Sequence, residues 1–142
     1  RGHEAVVEEA LRLFDEVVVA VAENVSKHSL LSGEGRCRLI EEVYLGNNRV
    51  SVASYSTLTG DFARKVGATA LVRGVRNTID FEFERSIEAT NRALYPDLTT
   101  VLLVTPAEYQ HISSSVVREL LAFGRDVTDY LPQNIKIENY IK

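Results

Sequence analysis

Apolar residues recur along the chain in two rhythms. In residues 3–14, Val6, Ala10, Leu13 and Phe14 return at helical spacing, while Glu8, Glu9 and Arg12 fall on the other side; the segment predicts an amphipathic helix. Residues 17–22 form a short, uninterrupted β-branched run, which reads as a strand buried on both faces. Residues 24–32 are polar and loop-like. Ser32 can cap a helix to about Tyr44, with Leu39, Ile40 and Val43 inside and Gly46-Asn47-Asn48 ending it. A second strand is expected over 49–55, a short helix over 61–66 closed by Gly67, and a third strand over 70–73. Asp80 can start a helix to about Leu94, ahead of Pro96. A fourth strand at 100–104 leads into a loop over 105–112. Ser113 or Ser114 then caps a helix ending near Phe123 and Gly124. After Pro132 a short helix and an irregular arm both fit.

Helices alternating with short apolar strands define an α/β fold, a doubly wound parallel sheet with helices on both faces. The 142 residues argue for a single domain over 1–142. The order opens with a helix, and a right-handed crossover needs a strand in front of it, so a strand is expected ahead of Arg1. The start Arg1-Gly2-His3 and the absence of Met fit the same expectation.

Composition narrows the function classes. With 45% hydrophobic and 25% charged residues, the chain is far from disordered compositions. Its longest apolar run, over 17–22, is well short of the ~20 residues of a membrane span, and no secretory signal is visible. The single cysteine, Cys37, excludes an internal disulfide framework and suits a reducing compartment. A net charge of −4 without a basic tail argues against a duplex nucleic-acid partner. A cytoplasmic domain that handles a small molecule is expected.

In a doubly wound sheet, ligands bind beyond the carboxyl ends of the strands. The residues there are Ser26-Lys27-His28, Ser56-Thr57-Leu58-Thr59, Arg73-Gly74-Val75-Arg76 and the segment from Tyr109 through Gln110, His111 and Ile112 to Ser113-Ser114-Ser115. His3, opening the first helix, belongs to the same rim. One lysine, two arginines, two helix N-termini and several hydroxyls suit a ligand carrying several phosphates. Each piece also has a plain meaning: the serines an N-cap, the arginines and Lys27 solvated charges, Glu84 and Glu88 an exposed helix face. Gly74 would let backbone approach a ligand closely. Cys37 reads as a small buried hydrophobe, and neither a G-x-S-x-G elbow nor a Walker lysine or G-x-G-x-x-G turn is present.

Taken in order, Gly2-His3, Ser26-Lys27, Asp61-Phe62-Ala63-Arg64, Arg73-Gly74-Val75-Arg76, Asp80-Phe81-Glu82-Phe83-Glu84, Asn91-Arg92 and Ile112-Ser113-Ser114-Ser115-Val116-Val117 resemble the phosphopantetheine adenylyltransferase family. The resemblance implies a Rossmann-like sheet of the nucleotidyltransferase type. It implies adenylyl transfer from ATP to 4′-phosphopantetheine, giving dephospho-coenzyme A and pyrophosphate with Mg²⁺, in a cytoplasmic homohexamer. His3 would be the surviving histidine of the T/H-x-G-H signature and stabilise the transition state. Lys27, Thr59 and Arg73 would meet the acceptor. His3, Gly74, Val75, Arg76, Glu84 and Tyr109, Gln110, His111, Ile112, Ser113, Ser114 and Ser115 would hold ATP. No residue is assigned to the metal.

The family's first strand and its G-[ST]-F-D-P segment would precede Arg1, and residues 1–142 on their own are expected to fold poorly and lack activity. Two rivals stay open: a related nucleotidyltransferase acting on nicotinamide mononucleotide or a polyol phosphate, and a non-catalytic nucleotide-binding module.

Overall fold

The computed structural model describes residues 1–23 and 29–141. Among the described residues, five helices and four strands alternate: α1 (Gly2–Leu13), β1 (Val17–Ala22), α2 (Gly33–Val43), β2 (Val50–Tyr55), α3 (Thr59–Lys65), β3 (Ala70–Val75), α4 (Thr78–Leu94), β4 (Thr99–Val104) and α5 (Ser114–Ala122). Short 3-10 turns at Ala107–Tyr109, Thr128–Tyr130 and Ile137–Asn139 complete the chain. The α/β alternation and the parallel pairing follow the sequence pattern. Among the described residues, no helix is long and apolar enough to cross a membrane.

The strands form two parallel pairs. β1 runs beside β2 from Val17↔Val50 to Ala22↔Tyr55, and β3 beside β4 from Ala70↔Thr99 to Val75↔Val104. Helix α1 lies against β1, β3 and β4, and so spans the two pairs. α2 packs on β1 and β2, and α4 on β3.

Three boundaries move for local reasons. β3 extends two residues past the expected end because Gly74 and Val75 stay in register with Leu103 and Val104. α3 starts at Thr59 instead of Asp61. α4 starts at Thr78 because Asn77, not Asp80, caps it, its side chain accepting the Asp80 N–H at 2.8 Å. The expectation that β1 is buried on both faces is corrected: Val18, Ala20 and Ala22 are exposed while Val21 is buried, so the packed helices cover one face only.

Two anchors hold α1 in place. Arg49, just ahead of β2, gathers carbonyls at the helix's carboxyl end, donating to Leu11 O at 2.5 Å, Phe14 O at 2.8 Å and Asp15 O at 2.9 Å. These acceptors have few partners within the helix, so one guanidinium both caps α1 and ties it to the β1–β2 pair. At the other end, Arg1 Nε donates to Leu131 O at 2.7 Å. The segment after α5 is an irregular arm. It has no helical or strand period, yet Val127, Ile135, Ile137 and Tyr140 are buried, and Arg38 of α2 lies over the Tyr140 ring. Beneath α3, Ala63, Tyr95 and Leu98 form a small core, and a Cβ on Gly60 would overlap the Tyr95 ring.

Candidate active site

The carboxyl ends of β3 and β4 gather the chemistry. Successive residues of β3 point to opposite faces, so Arg73 and Gly74 diverge. Gly74 faces α1: a Cβ there would stand 2.7 Å from Val6 Cγ2. The close approach expected at this glycine is therefore made by a helix of the same chain, and it seats α1 on β3. His3, one turn ahead of Val6, is thereby carried to the rim where Arg73 and Arg76 lie.

Arg73 turns toward α4, where Glu84 accepts both its Nε–H and an Nη2–H at 2.9 Å. Its charge is held firmly: first the Glu84 hydrogen bonds, then the Coulomb attractions of Glu84 and Tyr55, raise its pKa against the cost of burial. At the end of β2, the Tyr55 hydroxyl shares a 2.8 Å hydrogen bond with Thr59.

Arg76 is fixed by Asp80, whose Oδ2 accepts its backbone N–H at 3.0 Å and its Nε–H at 3.2 Å. Its Nη1 donates to Ile112 O at 3.3 Å, joining the β3–α4 turn to the loop before α5. In that loop Thr105, 3% exposed, donates its N–H to Val75 O at 2.9 Å, and Gln110 donates to Thr105 O at 3.0 Å. A Cβ on Gly2 would meet Tyr109 O at 4.0 Å, so the start of α1 borders the same loop. Ser113 caps α5, accepting the Val116 N–H at 3.2 Å, while Ser114 and Ser115 are exposed at the helix's first turn. His111 is also exposed, its ring edge-on to Tyr130 at 5.8 Å.

The His3 ring keeps an exposed surface but sits low among protein atoms. That desolvation first, then the positive charges of Arg73 and Arg76, lowers its pKa. His3 is thus neutral at physiological pH and can give one hydrogen bond to a phosphate oxygen. Cys37 lies elsewhere, on α2, and burial with Glu41 and Glu23 raises its thiol pKa, which suits packing and not nucleophilic attack.

Of the residues singled out from the sequence, His3, Thr59, Arg73, Gly74, Val75, Arg76, Glu84 and the 109–115 segment lie toward the carboxyl ends of the strands, with Val75 and Glu84 buried. Lys27 falls outside the described residues. Sequence reasoning missed Tyr55, although its place as the last residue of a strand was the signal, and it missed Asp80 as the partner of Arg76. A depression of about 470 Å³ lies at the opposite end of the strands, lined by Leu13, Phe14, Asp15, Glu16 and Thr69; without a cation, it does not suit a phosphate. Among the described residues, no cluster of three or more His, Cys, Asp or Glu comes together as a metal site.

A parallel α/β fold with cations and a helix N-terminus at its strand ends defines a nucleotide-handling domain, and the cytidylyltransferase-like family model matches residues 1–120. Within that class, the similarity narrows further. The chain is 46% identical over 138 residues to the phosphopantetheine adenylyltransferase of Porphyromonas gingivalis, spanning 97% of this chain and 90% of that one. It is 44% identical over 137 residues to the enzyme of that name from Phocaeicola vulgatus, covering 96% of this chain and 90% of the relative. With the one from Latilactobacillus sakei it shares 45% over 138 residues, 96% of this chain and 84% of the relative. The chain belongs to the phosphopantetheine adenylyltransferase family.

The lowered His3 pKa has a consequence for stability. The unfolded chain takes up this proton near the ordinary pKa of about 6.5, the folded chain only at lower pH. The difference is absent above that value and grows against the fold as pH falls from about 6.5 toward the folded-state pKa. Urea melts of wild type and His3→Gln are expected to coincide at pH 8, with wild type losing stability relative to the variant on acidification. Parallel pH profiles would contradict the assignment.

Proposed function

We propose that the protein transfers the adenylyl group of ATP to 4′-phosphopantetheine, giving dephospho-coenzyme A and pyrophosphate. One observation carries the reading: in a chain of this family, His3, Arg73, Arg76 and the first turn of α5 meet at the carboxyl ends of β3 and β4. A phosphate oxygen of the acceptor attacks the α-phosphorus of ATP in line. The new O–P bond forms as the bond to the α–β bridging oxygen breaks, and the electron pair leaves with pyrophosphate. No protein atom becomes covalently attached, so the protein's part is positioning and compensation of charge.

Arg73, with Lys27, holds the acceptor phosphate, and Thr59, oriented by the Tyr55 hydroxyl, faces the pantetheine side. The turn through Gly74, Val75 and Arg76 and the segment 109–115 hold ATP, with phosphate oxygens at the N–H groups that open α5. Neutral His3 donates to the α-phosphoryl oxygen as negative charge builds there. Mg²⁺ does not suit the side chains of this site, because Asp80 and Glu84 are both engaged by arginines. Bound together with ATP, Mg²⁺ would neutralise charge on the nucleotide's phosphates. The reaction belongs to the cytoplasm, where Cys37 stays reduced, and requires no nucleic acid.

The molecule also carries an apolar stripe on α4, where Ile79 and Phe83, one turn apart, are 79% and 61% exposed. Copies of the same chain cover it in the proposed homohexamer. Sedimentation equilibrium is expected to give the mass of six chains; a monomer at micromolar concentration would contradict the assembly.

From the full-length protein, pyrophosphate release is expected with ATP and 4′-phosphopantetheine, and none with nicotinamide mononucleotide or a polyol phosphate plus ATP or CTP. Release with one of those acceptors alone, or ATP binding without release from any acceptor, overturns the reading. His3→Ala should lower kcat by about 10²–10³-fold with little change in the KM for ATP, since its contact strengthens in the transition state. Equal losses in affinity and rate would reject that role.

A further inference from the structure

Glu84 is the one buried residue of the seventeen-residue helix α4, at 8% exposure, while apolar neighbours on that helix lie open to solvent. Burying a carboxylate is costly unless its oxygens are fully partnered, and a packed apolar side chain would serve stability at least as well. The partner here is unusual in its asymmetry: the Arg73 side chain remains 47% exposed while that of Glu84 is 9% exposed. One end of the guanidinium is sealed in protein and the other is open.

The hydrogen bonds say which end. A guanidinium has five N–H donors, one on Nε and two on each Nη. Glu84 Oε2 takes the Nε–H and Oε1 takes one Nη2–H, both at 2.9 Å, which fills the side-on edge of the fork. Both Nη1 hydrogens and the second Nη2 hydrogen remain; one from each nitrogen forms the end-on edge, whose spacing matches two phosphate oxygens.

We propose that Glu84 is a positioning residue for the acceptor. It holds Arg73 by the Nε–Nη2 edge so that the Nη1–Nη2 end is presented, already ordered, to the terminal phosphate of the pantetheine substrate. The assignment rests on the adenylyl-transfer reading above and adds a division of labour to it. Glu84, which the family resemblance counts with the ATP-holding residues, acts through Arg73; a carboxylate with both oxygens engaged and its own negative charge is poorly suited to meet a triphosphate directly. Asp80 restrains Arg76 in a parallel way one helical turn earlier, on the nucleotide side.

The test is a steady-state comparison of wild type, Glu84→Gln, Arg73→Ala and the double variant, with Glu84→Asp as a milder change that keeps the charge but shortens the reach. Glu84→Gln is expected to raise the KM for 4′-phosphopantetheine about tenfold while the KM for ATP moves less than about twofold. Glu84→Asp should show the same split at smaller size, so the proposal stays testable if the glutamine variant fails to fold. The double variant should be no worse than Arg73→Ala alone, because a positioning residue has nothing left to position. Additive losses, a KM effect confined to ATP, or a lower acceptor KM in Glu84→Gln would each overturn the proposal. If wild type releases no pyrophosphate, the functional reading fails on its own, and calorimetric titration with inorganic phosphate decides the positioning claim. Weaker binding to Glu84→Gln upholds it, and equal binding overturns it.

Discussion

The site depends on how closely α1 can lie against β3. A side chain at position 74 would occupy the space of Val6, so glycine there lets a helix and a strand meet almost backbone to side chain. Arg49 secures the far end of the same helix by collecting the carbonyl of Leu11 in its last turn and those of Phe14 and Asp15 just beyond it. Between these anchors α1 has little freedom to slide or tilt, and His3 is delivered to the strand ends as a matter of helix geometry. A helix displaced by even an ångström would leave an imidazole near the site but out of reach of a reacting phosphorus, where rate depends steeply on placement.

A second constraint is electrostatic. The chain carries a net charge of −4, yet its proposed substrates are polyanions. The resolution is local. Arg73 and Arg76 stand three residues apart on β3 and its turn, and each is steadied by a carboxylate from α4, Glu84 and Asp80 respectively. Each carboxylate engages one part of its arginine and leaves the remaining donors for a ligand. Fixed donors and the N–H groups opening α5 can then outweigh an unfavourable overall charge, because a field at a few ångströms in a concave site counts for more than the distant sum.

Much of this was legible in the sequence, and the reasons are physical. The alternation of apolar periods located every helix and strand, and the caps Ser32 and Ser113 are local hydrogen-bond chemistry that a few neighbouring residues dictate. The rim residues followed from one rule, that ligands gather beyond strand carboxyl ends, and the RGVR and ISSS segments carried the family. What was not legible depends on partners far away in the chain. The exposure of Val18, Ala20 and Ala22 reflects which helices cover β1, and no property of the run itself reveals that. Glu84 looked like part of a solvated face because its partner lies on another element, eleven residues earlier. The arm after α5 is held by scattered contacts of Val127, Ile135, Ile137 and Tyr140, which leave no period to read.

The central claim is that substrate phosphates sit against His3 within this cationic corner. Its most direct test is an NMR titration of the three histidine imidazoles, with His3 assigned by its loss in His3→Gln, in the free protein and with ATP or 4′-phosphopantetheine bound. The account predicts that the His3 pKa, depressed in the free protein by burial and neighbouring positive charge, rises when either phosphorylated ligand binds. A His3 titration curve that ignores both ligands, while they demonstrably bind, would contradict it.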